Sequence, residues 1–225
     1  MKTLTLTVCR RPDYTTQTMR AIKLCDGIEE YAVSVYLDPQ CLETERIARE
    51  ESLPGWEFVK AERPTGCNRA IYESLCIGFS RGDYHIHLED DTVPSPDCLR
   101  WFEWASRFRN DASVFSVSAW NRCGGESSLA RRRRWFTPWG WATWRDRWDE
   151  MRERWSPHGA ESWDVAVNTV FRGGRVEIFP ALSRVQNIGE HGGAHATPQV
   201  WRDVQRVDSW AGRDELTKEW SLETA

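Results

Sequence analysis

Tyr84-His85-Ile86-His87-Leu88-Glu89-Asp90-Asp91 is the stretch on which the fold turns. The run from Tyr84 to Leu88 leans apolar and reads as a strand, with His85 and His87 on alternate positions as packing or sheet-face residues. Three acids follow with no spacer. Carboxylates at the margin of a core are costly unless something cationic meets them. A divalent metal is the simplest such partner, and one held by so few protein oxygens shares its shell with water and substrate phosphates. The stretch therefore points to a metal–diphosphate at the end of a central strand. The plain alternative is an acidic turn capping the helix that follows.

Toward the N-terminus, residues 3–9 (TLTLTVC) alternate and are β-branched, which predicts a strand closed by the turn Arg10-Arg11-Pro12-Asp13. A helix is expected over Tyr14–Leu24, a strand over Tyr31–Leu37 ending at Asp38-Pro39, and a charged helix over 42–51. Trp56–Val59 reads as a short strand, and 67–79 as a helix with Ala70, Ile71, Leu75 and Phe79 at core spacing. Strand–helix alternation of this kind predicts an α/β fold, a mostly parallel central sheet with flanking helices and right-handed crossovers. Ligands in such sheets bind at the carboxyl ends of strands. Arg10-Arg11, Asp38 and Glu89-Asp90-Asp91 all fall at such ends.

Toward the C-terminus, Pro96–Arg109 predicts an amphipathic helix and Val114–Ser118 a strand leading into Ala119-Trp120-Asn121. Residues 121–134, with Gly124-Gly125 and Arg131-Arg132-Arg133-Arg134, read as a mobile loop. A helix over 161–172, a strand over Arg175–Phe179, a glycine-rich loop over 189–195 and a polar, partly helical tail from Pro198 complete the chain. With no repeat and no linker, one domain over 1–225 is expected. Within it, residues 1–110 would form one half, 111–197 a second, and 198–225 a C-terminal tail.

A net charge of −4 over 225 residues gives no global pull toward nucleic acid or membrane. Seven cysteines, scattered and without a CxxC pair, argue against a zinc site and a disulfide framework, and favour free thiols. No run approaches the roughly 20 apolar residues of a membrane span. The start Met1-Lys2-Thr3-Leu4 runs straight into a strand pattern, so a cytoplasmic protein is expected, in a host cytoplasm if the source is viral. Fourteen Trp against five Tyr offer flat faces for sugars or bases, unless most of them pack the core.

Val8-Cys9-Arg10-Arg11, Glu89-Asp90-Asp91, Ser118-Ala119-Trp120-Asn121, Gly140-Trp141, Trp163-Asp164 and Gly192-Gly193-Ala194-His195 stand in an order that resembles the nucleotide-sugar glycosyltransferases of the GT-A (Rossmann-like) fold. The nearest pattern is the N-acetylglucosaminyltransferase I-like group, over roughly residues 3–197. Gly140–Trp144 and Asn187-Ile188-Gly189 are similar to segments of small bacterial and viral glycosyltransferases. The resemblance implies Mn²⁺ or Mg²⁺ on Asp91, with Asp90 at ribose or sugar hydroxyls and Glu89 orienting the sugar. It implies Asp38 at uracil or ribose, where a turn before Pro39 is the alternative, and Arg11 and Arg10 at base or phosphates, where solvated arginines are the alternative. Asn68 stands where the group carries a nucleotide-contacting His, and helix capping suits it equally. His195, or else His191, would touch the diphosphate or complete the metal shell. Trp120, Trp139, Trp141 and Trp163 would form the sugar and acceptor platform, with Trp141 on the nucleotide-sugar side.

Asp164 is the candidate general base, since inverting sugar transfer needs one carboxylate to take the acceptor hydroxyl's proton. A helix-start acid is its alternative role. The expected function is inverting transfer from a UDP-sugar to an acceptor hydroxyl. Arg131, Arg132, Arg133 and Arg134, with Trp nearby, suit an anionic acceptor such as DNA carrying a flipped hydroxymethylated base. A glycan or protein acceptor is the alternative. A nucleotidyltransferase is disfavoured because Cys9-Arg10-Arg11-Pro12 lacks the glycines of a phosphate loop. A non-catalytic sugar- or nucleic-acid-binding module is the rival from another class.

Overall fold

The computed structural model describes residues 1–157, 162–192, 197–212 and 216–223. Strand β1 (Lys2–Val8) runs through the interior of a nine-stranded sheet. Side chains alternate across a strand. Leu4, Leu6 and Val8 therefore join Met19 and Ile22 in one core layer, while Thr3 and Thr5 lie buried on the other face. The chain then alternates through α1 (Pro12–Lys23), β2 (Tyr31–Leu37), α2 (Leu42–Glu50), β3 (Glu57–Lys60), α3 (Gly66–Phe79) and β4 (Tyr84–Glu89). Pro12 opens α1, where its missing N–H costs nothing. Both β2 and β4 pair in parallel with β1, and β3 pairs in parallel with β2. The α/β alternation expected of this half is what forms.

The second half comprises β5 (Thr92–Pro94), α4 (Cys98–Ala105), β6 (Val114–Ser118), β7 (Leu129–Arg133), β8 (Trp141–Trp144) and α5 (Arg145–Arg152). It continues with α6 (Trp163–Ala166), β9 (Val176–Pro180), β10 (Val185–Asn187), α7 (Pro198–Val200) and β11 (Ser221–Leu222). The sheet order is β11-β7-β9-β6-β8-β4-β1-β2-β3. β8 enters antiparallel between β4 and β6 and joins the two halves. β5 and β10 make a separate antiparallel ribbon just beyond the acidic triplet.

Three elements differ from expectation. Residues 129–133 are strand β7 rather than loop, paired with β9 and β11. A strand carrying three arginines has no apolar alternation to announce it. The helix expected over 161–172 is a four-residue α6 followed by a π-turn over Val167–Phe171. The polar tail returns to the sheet as β11, with Trp220 buried against Trp101 and Trp104. All seven cysteines are free thiols, as expected. Nine of the fourteen Trp are buried, so packing is the main use of this residue here. Among the described residues no helix is long and apolar enough to cross a membrane.

His85 and His87 are fully buried between β1 and α3. His85 hydrogen-bonds Thr3 and Thr5, each at 2.9 Å, and His87 meets Thr5 at 3.0 Å. Gly78 of α3 leaves room for the His85 ring, which a Cβ there would overlap. Burial lowers both imidazoles from 6.5 to about 3. They are neutral in the fold and titrate near their ordinary value when unfolded. Between about 6.5 and 3 the unfolded chain thus binds more protons, and these histidines lose stability as pH falls. Urea denaturation of His87→Gln should show a smaller loss of stability from pH 7 to pH 5 than the parent. An equal loss in both would show that His87 is not buried neutral.

Candidate active site

Because β2, β1 and β4 are parallel neighbours, their carboxyl ends converge. Asp38, Arg10-Arg11 and Glu89-Asp90-Asp91 therefore line one cavity of about 460 Å³. Pro138, Trp139, Ser162, Trp163, Asp164, Gly189 and Gln205 line the same cavity.

The triplet meets a cation that the sequence reading had not paired with it. Arg11, from the first turn of the β1–α1 connection, donates from Nη1 to Asp91 Oδ2 at 2.7 Å and from Nη2 to Asp90 Oδ1. Asp90 Oδ2 also accepts from the Cys9 amide at 3.1 Å, and its carbonyl accepts from Thr18 Oγ1 at 2.8 Å. These bonds lock the β4 end to the β1 end. The Arg11 guanidinium lies over the Tyr14 ring, 5.5 Å from its centroid.

One guanidinium does not neutralise three acids. Burial and then Asp91 push the Glu89 carboxyl well above the usual range. Burial also raises Asp90, against the opposing pull of Arg11. Burial alone would weaken the hold of Arg11 on its proton, yet Asp91 and Asp90 strengthen it overall. Among the described residues, five acids (Asp38, Glu89, Asp90, Asp91 and Asp164) line the cavity against two arginines. The site is short of positive charge, and its donors are hard oxygens suited to Mg²⁺ or Mn²⁺. Among the described residues no three His, Cys, Asp or Glu side chains form a ligand group by themselves. An ion here would share its shell with phosphates and water. The residues fit a divalent cation on those terms.

The glycine loop after β10 docks onto the triplet. The Ile188 amide donates to the Asp91 carbonyl at 2.8 Å, and Asn187 Oδ1 accepts from the Gly189 amide at 3.0 Å. Trp201 Nε1 donates to the same Asn187 oxygen at 2.7 Å. A Cβ on Gly189 would overlap Asp91 Oδ2, so the loop can lie this close only as glycine. The His191 amide donates to the Tyr14 hydroxyl at 3.2 Å, while the His191 ring is exposed. His195 lies outside the described residues.

Asp164 is in the first turn of α6 and faces the cavity, with Ser162 Oγ donating to its Oδ1. Trp163 stacks on Trp141 at 5.7 Å and on Trp155 at 6.1 Å. This aromatic bed, with Phe136 and Phe171, fixes where the short helix begins. Trp141 is 1% exposed and does not line the cavity; it supports Trp163 rather than offering a face to sugar. Trp120 is likewise buried behind Trp139, 4.7 Å between rings, with its Nε1 donating to the Gln205 carbonyl. Only Trp139 and Trp163 of the proposed platform reach the cavity.

Other candidates are placed elsewhere. Asn68 accepts from Trp155 Nε1 at 2.8 Å and donates to the Ser156 carbonyl at 3.1 Å, tying α3 to the chain before α6. Its neighbours Gly66, Cys67, Ala70 and Ile71 line the cavity instead. Asp38 reaches the cavity and also accepts from the Gln40 amide at 2.9 Å, the turn bond expected before Pro39. The Arg run is at the other side of the sheet, outside the cavity lining. Arg131 pairs with Glu223 at 2.8 Å and Arg132 with Asp111 at 3.0 Å. Arg133 is paired with Glu177 at 2.7 Å beneath the surface. Arg134 is exposed. Cys67, Gln205 and Gly189 are cavity residues to which the sequence pattern assigned no role, although Gly189 lies in the glycine-rich loop.

The fold is similar to that of solved GT-A-type glycosyltransferases. TarS of S. aureus (residues 1–349) aligns with a TM-score of 0.54 at 12% identity, over 82% of this chain and 60% of that one. The mannosyltransferase PcManGT of Pyrobaculum calidifontis, solved with GDP-Man and Mn²⁺, aligns with a TM-score of 0.52 at 15% identity, over 67% of this chain and 46% of that one. The chain belongs to the GNT-I family, whose model matches residues 77–201, spanning the triplet and Trp163-Asp164. The alpha-1,3-mannosyl-glycoprotein 2-beta-N-acetylglucosaminyltransferase of Arabidopsis thaliana is 31% identical over 113 residues. That match spans 48% of this chain and a quarter of the plant protein.

Proposed function

We propose that this protein transfers a sugar, with inversion, from a UDP-sugar to an acceptor hydroxyl, in a divalent-metal-dependent reaction. The observation that carries the reading is the cavity itself: the triplet and Asp164 line it together, and its described lining holds more carboxylates than arginines. Asp91 would hold the ion, with Asp90 and Glu89 beside it. Such an ion, when bound, supplies positive charge to the diphosphate leaving group. The PcManGT complex with GDP-Man and Mn²⁺ supports a metal and a nucleotide-sugar on this fold.

Arg10 and Arg11 meet the phosphates, and Asp38 the nucleoside. Glu89 orients a sugar hydroxyl. Asp164 accepts the proton of the acceptor hydroxyl as its oxygen bonds to the anomeric carbon. The bond from that carbon to the diphosphate oxygen breaks on the opposite side. Trp139 and Trp163 give sugar rings apolar faces. We read the chain as one domain with the donor half over 1–110, the acceptor half over 111–197 and the remainder over 198–225.

Of the two acceptor types open from the sequence, a glycan fits better than a modified base in DNA. Arg131, Arg132 and Arg133 are already paired with acids, which leaves little free charge for phosphates. The plant relative's name, a mannosyl-glycoprotein transferase, points the same way. The test is release of UDP, GDP or dTDP from a panel of nucleotide-sugars, with and without Mn²⁺. Metal-dependent UDP release that rises with oligosaccharide acceptors is expected. Release that needs no metal, or none from any UDP-sugar, would overturn the reading.

A further inference from the structure

We propose that Arg11 is a resident counter-cation for Asp91, which must leave for a divalent ion to bind and which the nucleotide diphosphate draws away. This rests on the function proposed above, with Asp91 as metal ligand. The free enzyme would therefore hold metal poorly, and nucleotide would open the metal site as well as share it.

The argument is geometric. Arg11 Nη1 is 2.7 Å from Asp91 Oδ2 and its other arm reaches Asp90 Oδ1, so one guanidinium spans both carboxylates. The fixed fork of N–H donors lets one guanidinium bridge two neighbouring carboxylates. A divalent ion needs the same Asp91 carboxylate, and two cations a few ångströms apart in a partly dry site repel strongly. The loop holds them at one point: Ile188 is hydrogen-bonded to Asp91, and a Cβ at Gly189 would touch both Asp91 Oδ2 and, at 3.2 Å, Arg11 Nη1. Gly189 and Arg11 together crowd the Oδ2 side of the Asp91 carboxylate. Arg11 does have somewhere to go. Its side chain keeps 17% exposure and lines the cavity in which the diphosphate would sit. Arg11 also touches the loop: a Cβ at Gly192 would come within 3.6 Å of its Cδ, and Tyr14, under its guanidinium, is bonded to His191. Departure of Arg11 would thus be felt by the loop that covers the triplet.

The test is Mn²⁺ binding by electron paramagnetic resonance of free Mn²⁺, with and without UDP, for the parent, Arg11→Met, Arg11→Lys and Asp91→Asn. The Met variant should bind Mn²⁺ alone more tightly than the parent, by about 5- to 150-fold, the usual range for coupled sites. The enhancement of Mn²⁺ binding by UDP should shrink by a similar factor. Arg11→Lys keeps a cation beside Asp91, so it should stay closer to the parent than Met does. If Lys binds Mn²⁺ as tightly as Met, the charge at residue 11 does not compete with the ion and the exchange is wrong. Unchanged or weaker Mn²⁺ binding by Arg11→Met, with a native-like melting curve, also overturns it. Should Met fail to fold, Arg11→Gln carries the test. If Asp91→Asn binds Mn²⁺ with UDP as the parent does, the metal assignment of the proposed function fails, whatever Arg11 does.

Discussion

Asp164→Asn should lower kcat by about 100- to 10,000-fold, the range over which a positioned general base contributes. Asn keeps the shape and can still meet Ser162 but cannot accept the acceptor's proton. The residue stands in a four-residue helix bedded on stacked Trp163, Trp141 and Trp155, so the substitution removes chemistry without moving the backbone. Binding of UDP and metal should be unchanged, because both are assigned to other residues: Arg10, Arg11, Asp38 and the triplet. The measurement is steady-state transfer beside calorimetric UDP binding. Near-parental kcat would remove Asp164 from catalysis. Lost UDP binding with lost activity would make it a structural acid at a helix start.

Asp91→Asn should lower metal-dependent turnover about a thousandfold, as expected if charge stabilisation worth about 4 kcal/mol is lost at the leaving group. Stability should hold or rise, because three acids crowd around one guanidinium and burial already opposes the ionisation of Glu89 and Asp90. Thermal melting separates the two effects. An inactive variant that melts with the parent supports the metal role. An active one refutes it, and an inactive one that no longer folds moves the role of Asp91 to structure. The contrast with Asp164→Asn is informative: only Asp91→Asn should flatten the dependence of rate on metal concentration.

Much of this site was legible because its parts are local. Glu89-Asp90-Asp91 closes a strand without a spacer, Asp38 closes another, and Trp163-Asp164 opens a helix; each is visible in a few consecutive residues. Partnership was not. Arg11 meets Asp91 because β1 and β4 pair in parallel with Thr7 opposite Glu89, a register that neither segment states. Trp141 looked like a sugar platform, but β8 is covered on both faces, so its four residues carry no alternation to separate inside from outside. The Arg run looked like a free basic loop. Its acids, Asp111, Glu177 and Glu223, come from residues about 20 to 90 positions away, beyond any local pattern.

The sequence by itself determined the α/β alternation, the acidic strand end and the separate Trp-flanked acid, because strand period, turn chemistry and charge are properties of neighbouring residues. Only the tertiary structure decided which charges are already answered. Arg131, Arg132 and Arg133 are matched by acids from across the fold, while the triplet has one guanidinium for three carboxylates. The reason is physical: a carboxylate's need for a cation depends on every charge within a few ångströms and on the water excluded between them. Both are set when distant segments pack.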